Sequence, residues 1–436
     1  MKSERSRKIF IGIASGVCAL AVAVLVFFAG YWVRGIVGVN SYDWVLGIIN
    51  EHYYKQVDTQ NADHVSIDAL VKEYLDIYSA YYTAEEYAAL QNSNAGNASG
   101  LGITVTYIDG VGLLVSQCVG NSPAYLSGLR TGDVLDYGVS GGQRTDFDSL
   151  SDFSAFADAA DGEIEFVTTQ GERFVAERAQ YATSYVFMAT ADSAWSFTGS
   201  DALTLTENEA DRIEYLPEGT AYISLSQFYG NAPEQFGKAV EQFNAEGCTS
   251  LILDLRNNGG GYVDVMQKIS SYFENCAGGS VAMTAVYGDG STETYPVKSM
   301  SGGRISADTD VYVLANSNTA SASEALIGCL VSYEVTDYDN IYISQYSQSY
   351  LDATGYTAEQ LKSGKTYGKG IMQTTFTNPL TGEALKLTTA QIYWPNGKTI
   401  HDVGLTAEDG CRIAEAPYPI SGAGEELRSV VSAIFG

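Results

Sequence analysis

The first apolar feature of the chain is continuous, not periodic. Ile9 to Val33 runs without one charged residue. At about 1.5 Å per residue such a run exceeds a hydrocarbon core of roughly 30 Å, so residues 9–33 are expected to span a membrane. Lys2, Arg5, Arg7 and Lys8 precede the run and only Arg34 follows closely. That asymmetry places residues 1–8 in the cytoplasm and the remainder outside it, a single-pass arrangement. A cleaved signal peptide is the competing reading, but its apolar stretch is normally shorter and ends in small residues. This one ends "FFAGYWV", with aromatics suited to an interface.

Periodicity begins after the anchor. "SYDWVLGIINEHYYKQ" and "SIDALVKEYLDIYSAYYTAEEYAALQ" place apolar residues at threes and fours, which predicts helices through residues 34–98, with only a weak cap at Ser66. "NSNAGNASG" (92–100) is a small, polar linker. From Gly100 the period shortens to two. "GLGITVTYIDGVGLLVSQCV" reads as two strands around a turn at Asp109-Gly110, and "NSPAYLSGLRTGDVLDYGV" as a short helix, a turn at Ser127-Gly128 and another strand.

Further on, strand and helix patterns alternate. "GTAYISLSQFY" (219–229) predicts a strand and "APEQFGKAVEQFNAEGC" a helix closed by Glu246-Gly247. "SLILDLRNNGGGYVDVMQKISSYF" is a buried strand, a glycine turn and a helix, and "DVYVLANSNTASASEALIGCL" repeats that plan. Successive β-α-β steps imply parallel strands with helical crossovers, and functional loops in such sheets lie where strands end. The expected fold is therefore a multidomain α/β chain: an N-terminal transmembrane helix, a helical region, a β-rich domain and an α/β core of strand–turn–helix units.

Composition narrows the function. The chain has 436 residues, 45% of them hydrophobic, with 31 tyrosines and 45 glycines, enough for several folded domains with many tight turns. A formal net charge of −28 argues against nucleic acid as the main partner. Cysteines at 18, 118, 248, 276, 329 and 411 form no C-x-x-C and no evident disulfide framework, although a single bridge stays open. His52, His64 and His401 lie far apart, which speaks against a multi-histidine metal centre. No metal and no cofactor is expected.

The candidate chemistry sits in "NTASASEALIGCL" (318–330), where Thr319, Ser321 and Ser323 alternate ahead of an apolar run. The bland reading is a helix start, because Ser321 and Glu324 have capping-box spacing. A serine nucleophile needs a base, and a lysine serves only when neutral. Its ordinary pKa near 10.4 must then fall by roughly three, which an apolar pocket can bring about. "GKGIMQ" alternates like a strand, so Lys369, Ile371 and Gln373 are expected to face one side. A nucleophile at a helix N-terminus also has main-chain N–H groups where negative charge develops. Asp254 and Arg256 in "LDLRNN" read as a structural network under the glycine turn. "SGKT" (363–366) fails the P-loop pattern because the first glycine position is Glu359.

Two resemblances sharpen this reading. The block from Gly100 to about residue 137, with Gly100-Leu101-Gly102-Ile103, Ser122-Pro123-Ala124 and "SGLRTGDVL", resembles a PDZ domain, with Thr131 where proline is usual. The resemblance implies that the 100–103 loop offers N–H groups to a peptide's terminal carboxylate while the peptide adds a strand to the sheet. The bland alternative is that G-L-G is only a turn. "LILDLRNNGGG", "TASASEALIG", "KTYGKGIMQ" and "ALKLTTAQIYWPNGKTIHDVG", in that order, resemble the C-terminal processing peptidase (tail-specific protease) family. What this implies is a serine peptidase with a Ser–Lys dyad and a PDZ domain ahead of its core: Ser321 as nucleophile, Lys369 as base and Gln373 as the residue orienting it. The implied oxyanion donors are the N–H groups of Ala322 and, because Gly259 replaces the family's proline, Gly260.

The domain plan that follows is 1–8 cytoplasmic, 9–33 anchor, 34–98 helical, 99–180 PDZ-like, 181–417 peptidase core and 418–436 tail. The expected activity is endoproteolysis of protein or peptide substrates with free C-terminal tails, outside the cytoplasm, through an acyl-enzyme; the family resemblance is also compatible with homo-oligomers. The alternative is a catalytically inactive scaffold that binds peptide tails. A Ser-His-Asp site would have to use His401, which reads as a turn residue. Two departures from the family stand out. Ser321 and Lys369 are separated by an insertion within 340–364, whose "YTAEQLKSG" (356–364) is expected to be a short helix on a surface excursion or lid, and "GLTAEDG" replaces a more usual proline-bearing motif.

Overall fold

The computed structural model describes residues 40–59, 66–422 and 424–436. The expected anchor at 9–33 lies outside these residues. Among the described residues no helix is long and apolar enough to cross a membrane.

The chain divides into two compact units. One joins the residues up to Tyr87 to Gln373–Thr389. Its helices start where short polar side chains accept main-chain N–H groups: Asn40 Oδ1 from Asp43 at 2.9 Å, and Ser66 Oγ from Ala69 at 3.1 Å. Helices Ser41–His52 and Ile67–Tyr74 bury Val45, Ile49, Leu70 and Val71 against Leu385 and Leu387. Strand Ala80–Tyr82 pairs antiparallel with Ala384–Lys386. The helical region of the sequence reading thus gains its core from a strand supplied far along the chain. Two short amphipathic helices are marginal alone, and the strand supplies apolar surface on which they close.

The second unit holds Ala88–Met372 and Ala390–Gly436. Its β-rich block is a sheet ordered Ile103–Ile108, Gly112–Cys118, Val134–Ser140, Glu163–Thr168, Arg173–Glu177, with Gln143–Asp146 paired to Val134–Ser140. Ile103–Ile108 is an edge strand, and the turn at Asp109-Gly110 closes its hairpin as the alternation predicted. Helix Leu150–Ala159 contributes Phe153 and Phe156 to the same apolar cluster as Ile103 and Val105.

The core of this unit is an eight-stranded sheet ordered Thr204–Glu207, Ala194–Thr198, Val186–Ala189, Thr220–Leu225, Ser250–Asp254, Asp310–Ala315, Ile341–Tyr346, Arg412–Ala416. From Thr220–Leu225 to Arg412–Ala416 all neighbours are parallel. The alternation along each strand sorts the two faces. Leu251, Leu253 and Val313 point to the cluster formed with helices Ala232–Ala245, Val263–Ser270 and Ala322–Ser332, while Ile252, Leu314 and Tyr342 join the opposite cluster. That opposite face is covered by Leu427, Val430 and Val431 of helix Glu425–Phe435. Residues 418–436 are therefore a packed element of the core, not a tail.

The insertion also differs from expectation. Its helix is Gln348–Thr354, begun by Ser347 and stopped by Gly355 in a left-handed conformation at φ 70°. Residues 356–364 form turns. Thr357 and Gln360 exchange the two bonds of a capping box, but Lys362 at φ 50° breaks the helical path after one turn.

Candidate active site

Two parallel strands deliver the site. Ser250–Asp254 ends at Leu255 and the "RNNGGG" turn, and Asp310–Ala315 ends at Asn316 and the "NTAS" turn, each followed by a helix. The turns are laced together. Asn257 N–H donates to Asn316 Oδ1 at 3.0 Å, and Asn316 Nδ2 returns a bond to Asn257 Oδ1 at 2.9 Å. Ala320 N–H donates to Asn258 O at 3.0 Å.

This lacing separates the three alternating hydroxyls. Thr319 is buried and donates to Leu255 O at 2.8 Å; Ser323 is buried and donates to Asn258 O at 2.8 Å. Ser321 alone is half-exposed, and it is held at φ 59°, ψ −115°. A positive φ at serine is a strained conformation that the surrounding packing must impose.

Gly260 is part of that packing. It sits at φ 97°, and a Cβ there would stand 2.9 Å from both Ser321 Cβ and Ala322 N. Gly259 has nothing within 4 Å of its own Cβ position, so the turn tolerates a bulkier residue there. The Gly260 N–H donates to Asn258 Oδ1 at 2.9 Å. Of the two expected oxyanion donors, this one is engaged inside its own turn.

Glu324 is the residue whose importance the sequence reading missed. Its carboxylate is fully buried and accepts four bonds: Ser321 N–H at 3.0 Å and Lys369 N–H at 2.9 Å on Oε2, with Thr366 Oγ1 at 2.6 Å and Gly368 N–H at 2.8 Å on Oε1. Burial pushes its carboxyl above the ordinary glutamate value, against the lowering effect of those donors. The capping-box spacing was visible, but the reach to Lys369 was not. Lys369 itself is half-buried and precedes strand Ile371–Thr377 instead of lying on it. Gln373 belongs to the first unit, where its Nε2 donates to Thr388 Oγ1 at 3.1 Å.

Asp254 and Arg256 form the expected structural network. Arg256 is buried, and its Nε and one guanidinium nitrogen bond both Asp254 oxygens, at 2.9 and 2.6 Å. The other nitrogen bonds Glu426 Oε2 of the last helix at 2.7 Å. Burial raises the Glu426 carboxyl, with Arg256 pulling the other way. His401 lies in a turn, its Nε2 3.4 Å from the exposed Asp402 carboxylate.

The expected peptide loop is well defined. Gly100 and Gly102 have φ of 122° and 78°, Leu101 is buried, and Ile103 opens the edge strand. A Cβ at Gly102 would fall 2.2 Å from Ser122 Cβ, so glycine is required there. The carbonyls of Leu101 and Gly102 accept from Ala124 and Val119 at 3.1 and 2.8 Å. Between this block and the core sheet lies a cavity of about 530 Å³, lined among others by Gln117, Tyr125, Arg130, Tyr181, Ser226 and Gly422. Arg130 crosses beside it to Asp211, at 3.0 Å from Nε and 2.8 Å from the terminal nitrogen, and stacks 4.0 Å from the Tyr125 ring centre. Among the described residues no cluster of three or more metal-binding side chains occurs.

The parallel strands thus present a strained serine at a strand-to-helix turn, and the Glu324 carboxylate joins that turn to the loop carrying Lys369. Residues 219–337, including Ser321, match the profile of peptidase family S41. It is similar to a CtpA-like serine protease of Staphylococcus aureus (strain COL), 25% identical over 371 residues, which is 84% of this chain and 63% of the relative. A CtpA-like serine protease of Staphylococcus epidermidis is 23% identical over 366 residues, 83% of this chain and 63% of its own length. The chain thus spans just under two thirds of these relatives. A crystal structure assigned to the S41 proteases, from Bacteroides fragilis, shares the fold with a TM-score of 0.59 at 16% identity, covering 90% of this chain and 95% of the other.

Proposed function

We propose that the chain is a membrane-anchored, extracytoplasmic serine endopeptidase that cuts proteins near their C-terminal tails. The observation that carries this reading is the Glu324 carboxylate, which holds the main-chain N–H groups of Ser321 and Lys369 on one oxygen. In the reaction Ser321 Oγ attacks the scissile carbonyl while the neutral Lys369 amine takes its proton. The tetrahedral oxyanion is met by the Ala322 N–H at the start of the helix and by Gly260. Gly260 serves after its N–H leaves Asn258 Oδ1, a peptide rotation that consecutive glycines permit. Collapse breaks the C–N bond, Lys369 returns the proton to the leaving amine, and water then hydrolyses the acyl-enzyme by the same path in reverse. No metal or cofactor takes part in these steps.

The 99–180 block is read as a PDZ-like domain that captures the substrate tail on edge strand Ile103–Ile108, with the terminal carboxylate at Gly100–Ile103. Residues 9–33 supply the membrane anchor.

A tail-binding scaffold without catalysis is the second reading, and the occupied Gly260 N–H favours it. The experiment compares residues 36–436 with Ser321→Ala and Lys369→Ala on an unfolded substrate with an apolar tail. Cleavage by the wild type alone supports the peptidase. Tail binding without cleavage by any form supports the scaffold.

A further inference from the structure

The insertion between Ser321 and Lys369 touches three places that matter to the proposed reaction. At its near end, buried Tyr346 shares a hydrogen bond of 2.8 Å with Ser317, in the turn that leads to Ser321. Burial pushes the Tyr346 hydroxyl up to about 12, so it stays a neutral hydrogen-bonding group. At its far end, Lys362 Nζ donates to Tyr367 O at 2.8 Å and lies 3.6 Å from the Tyr367 ring centre, two residues before Lys369. Tyr367 N–H in turn donates to Thr319 O at 3.0 Å, which joins the lysine loop to the nucleophile turn. Between these ends, Tyr350 and Leu351 are buried in one cluster with Ile108 and Leu114 of the hairpin that includes the edge strand.

A surface excursion closing a gap in the chain needs none of these contacts, since loop length by itself costs little. A lid would cover the cleft instead of gripping the hairpin. Lys362 is also kept at φ 50°, a conformation lysine rarely adopts, in the geometry that lets its amine reach back to Tyr367. Tyr346 N–H donates to Ser363 Oγ at 2.7 Å, so the two ends of the insertion are pinned to each other.

We infer that residues 346–364 form a brace in which Tyr346 and Lys362 position the nucleophile and lysine loops, while Tyr350 and Leu351 tie both loops to the tail-binding hairpin. The inference rests on the peptidase reading above for its catalytic consequence, but not for its structural one. Tyr346 and Lys362 are positioning residues: they act through Ser317 and Tyr367 and touch no reacting atom. The consequence is that tail capture and bond cleavage share one rigid frame, with the captured tail at a fixed distance from Ser321.

The test uses Tyr346→Phe, which deletes one hydroxyl, Lys362→Met, which keeps the stem, and Leu351→Ala, each checked for melting temperature. Hydrogen exchange is read at the amides of Thr319, Ala320 and Tyr367. The brace requires that exchange there quickens at least about tenfold in Tyr346→Phe or Lys362→Met, in a fully folded protein. Unchanged exchange in both overturns it, whether or not the protein cleaves anything. The catalytic arm follows Ser321 phosphonylation by a fluorophosphonate and the kcat and KM for a tail-bearing protein. Expected is a loss of about tenfold in labelling rate and kcat with KM unchanged for Tyr346→Phe and Lys362→Met. Leu351→Ala is expected to lower the preference for tailed over tailless substrate by a similar factor. Full kcat in the first two, with melting temperature lowered, reduces the insertion to a stabilising element and refutes the positioning role. A wild type that neither labels at Ser321 nor cleaves removes the peptidase reading, and the exchange result then decides the brace alone.

Discussion

Ser321 and Lys369 are joined through a third residue: their main-chain N–H groups both donate to Glu324 Oε2, at 3.0 and 2.9 Å. One carboxylate oxygen thus sets the spacing between the proposed nucleophile and base. Glu324→Gln keeps the shape but loses the charge that gathers four donors, and is expected to lower kcat about a hundredfold while the protein remains folded. Thermal melting and active-site labelling, measured side by side, check both halves.

The same carboxyl predicts a pH dependence. Burial raises it above the ordinary value of 4.5. A folded state that holds the proton more tightly than the unfolded chain is stabilised by acidification. Measured against Glu324→Gln in urea, wild-type stability should rise as pH falls from neutral towards 4.5, level off below, and be lost as pH climbs through the raised value. A difference that stays flat from pH 4 to 7 contradicts the raised carboxyl.

The glycine turn separates two neighbours that look alike. Gly260→Ala places a Cβ 2.8 Å from Ala320 O at φ 97° and should lower activity by at least a hundredfold. Gly259→Ala meets nothing within 4 Å and should leave activity intact, with a stability gain of about 0.4–1 kcal/mol from the stiffer unfolded chain. Assays of the two variants in parallel test the orientation of the turn.

Glu426 is expected to be costly to remove. Its loss strands the buried Arg256 guanidinium with one fewer counter-charge, and Glu426→Ala should destabilise the second unit by about 3–5 kcal/mol. Urea unfolding gives the number. A cost below 1 kcal/mol would mean that Asp254 alone satisfies the arginine.

The clasp between Arg130 and Asp211 joins the β-rich block to the core. Both groups are mostly shielded, and Asp211 also accepts from Tyr125 and Asn208. Arg130→Met should speed limited proteolysis within 100–180 several-fold while sparing Ser321 labelling. Cleavage patterns unchanged from wild type would show that the hairpin contacts hold the block unaided.

What the sequence made legible follows from local periodicity. Alternation marked the hairpin at 103–118, and short apolar runs ahead of turn residues marked the buried strands at 250 and 310, because each pattern is complete within one window. The choice of Ser321 over Thr319 and Ser323 rested on motif order; the structure buries Thr319 and Ser323 and leaves Ser321 half-exposed. Three features were out of reach. Glu324's bonds to the lysine loop, Glu426's bond to Arg256 and the shared apolar cluster of Tyr350 and Ile108 each join residues remote along the chain. The helix at 348–354 was misplaced because a capping box at Thr357 and Gln360 looks like a helix start, although Lys362 ends it within one turn. The anchor at 9–33 lies outside the described residues.

The bond between Arg256 and Glu426 has a consequence in time. On a ribosome the glycine turn emerges well before the helix that supplies its second carboxylate, the two partners being 170 positions apart. A nascent chain that has already released Ser321 and Lys369 has Asp254 on the Arg256 guanidinium but still lacks the second carboxylate, Glu426. The order of synthesis therefore leaves the turn incompletely seated until the last helix is made.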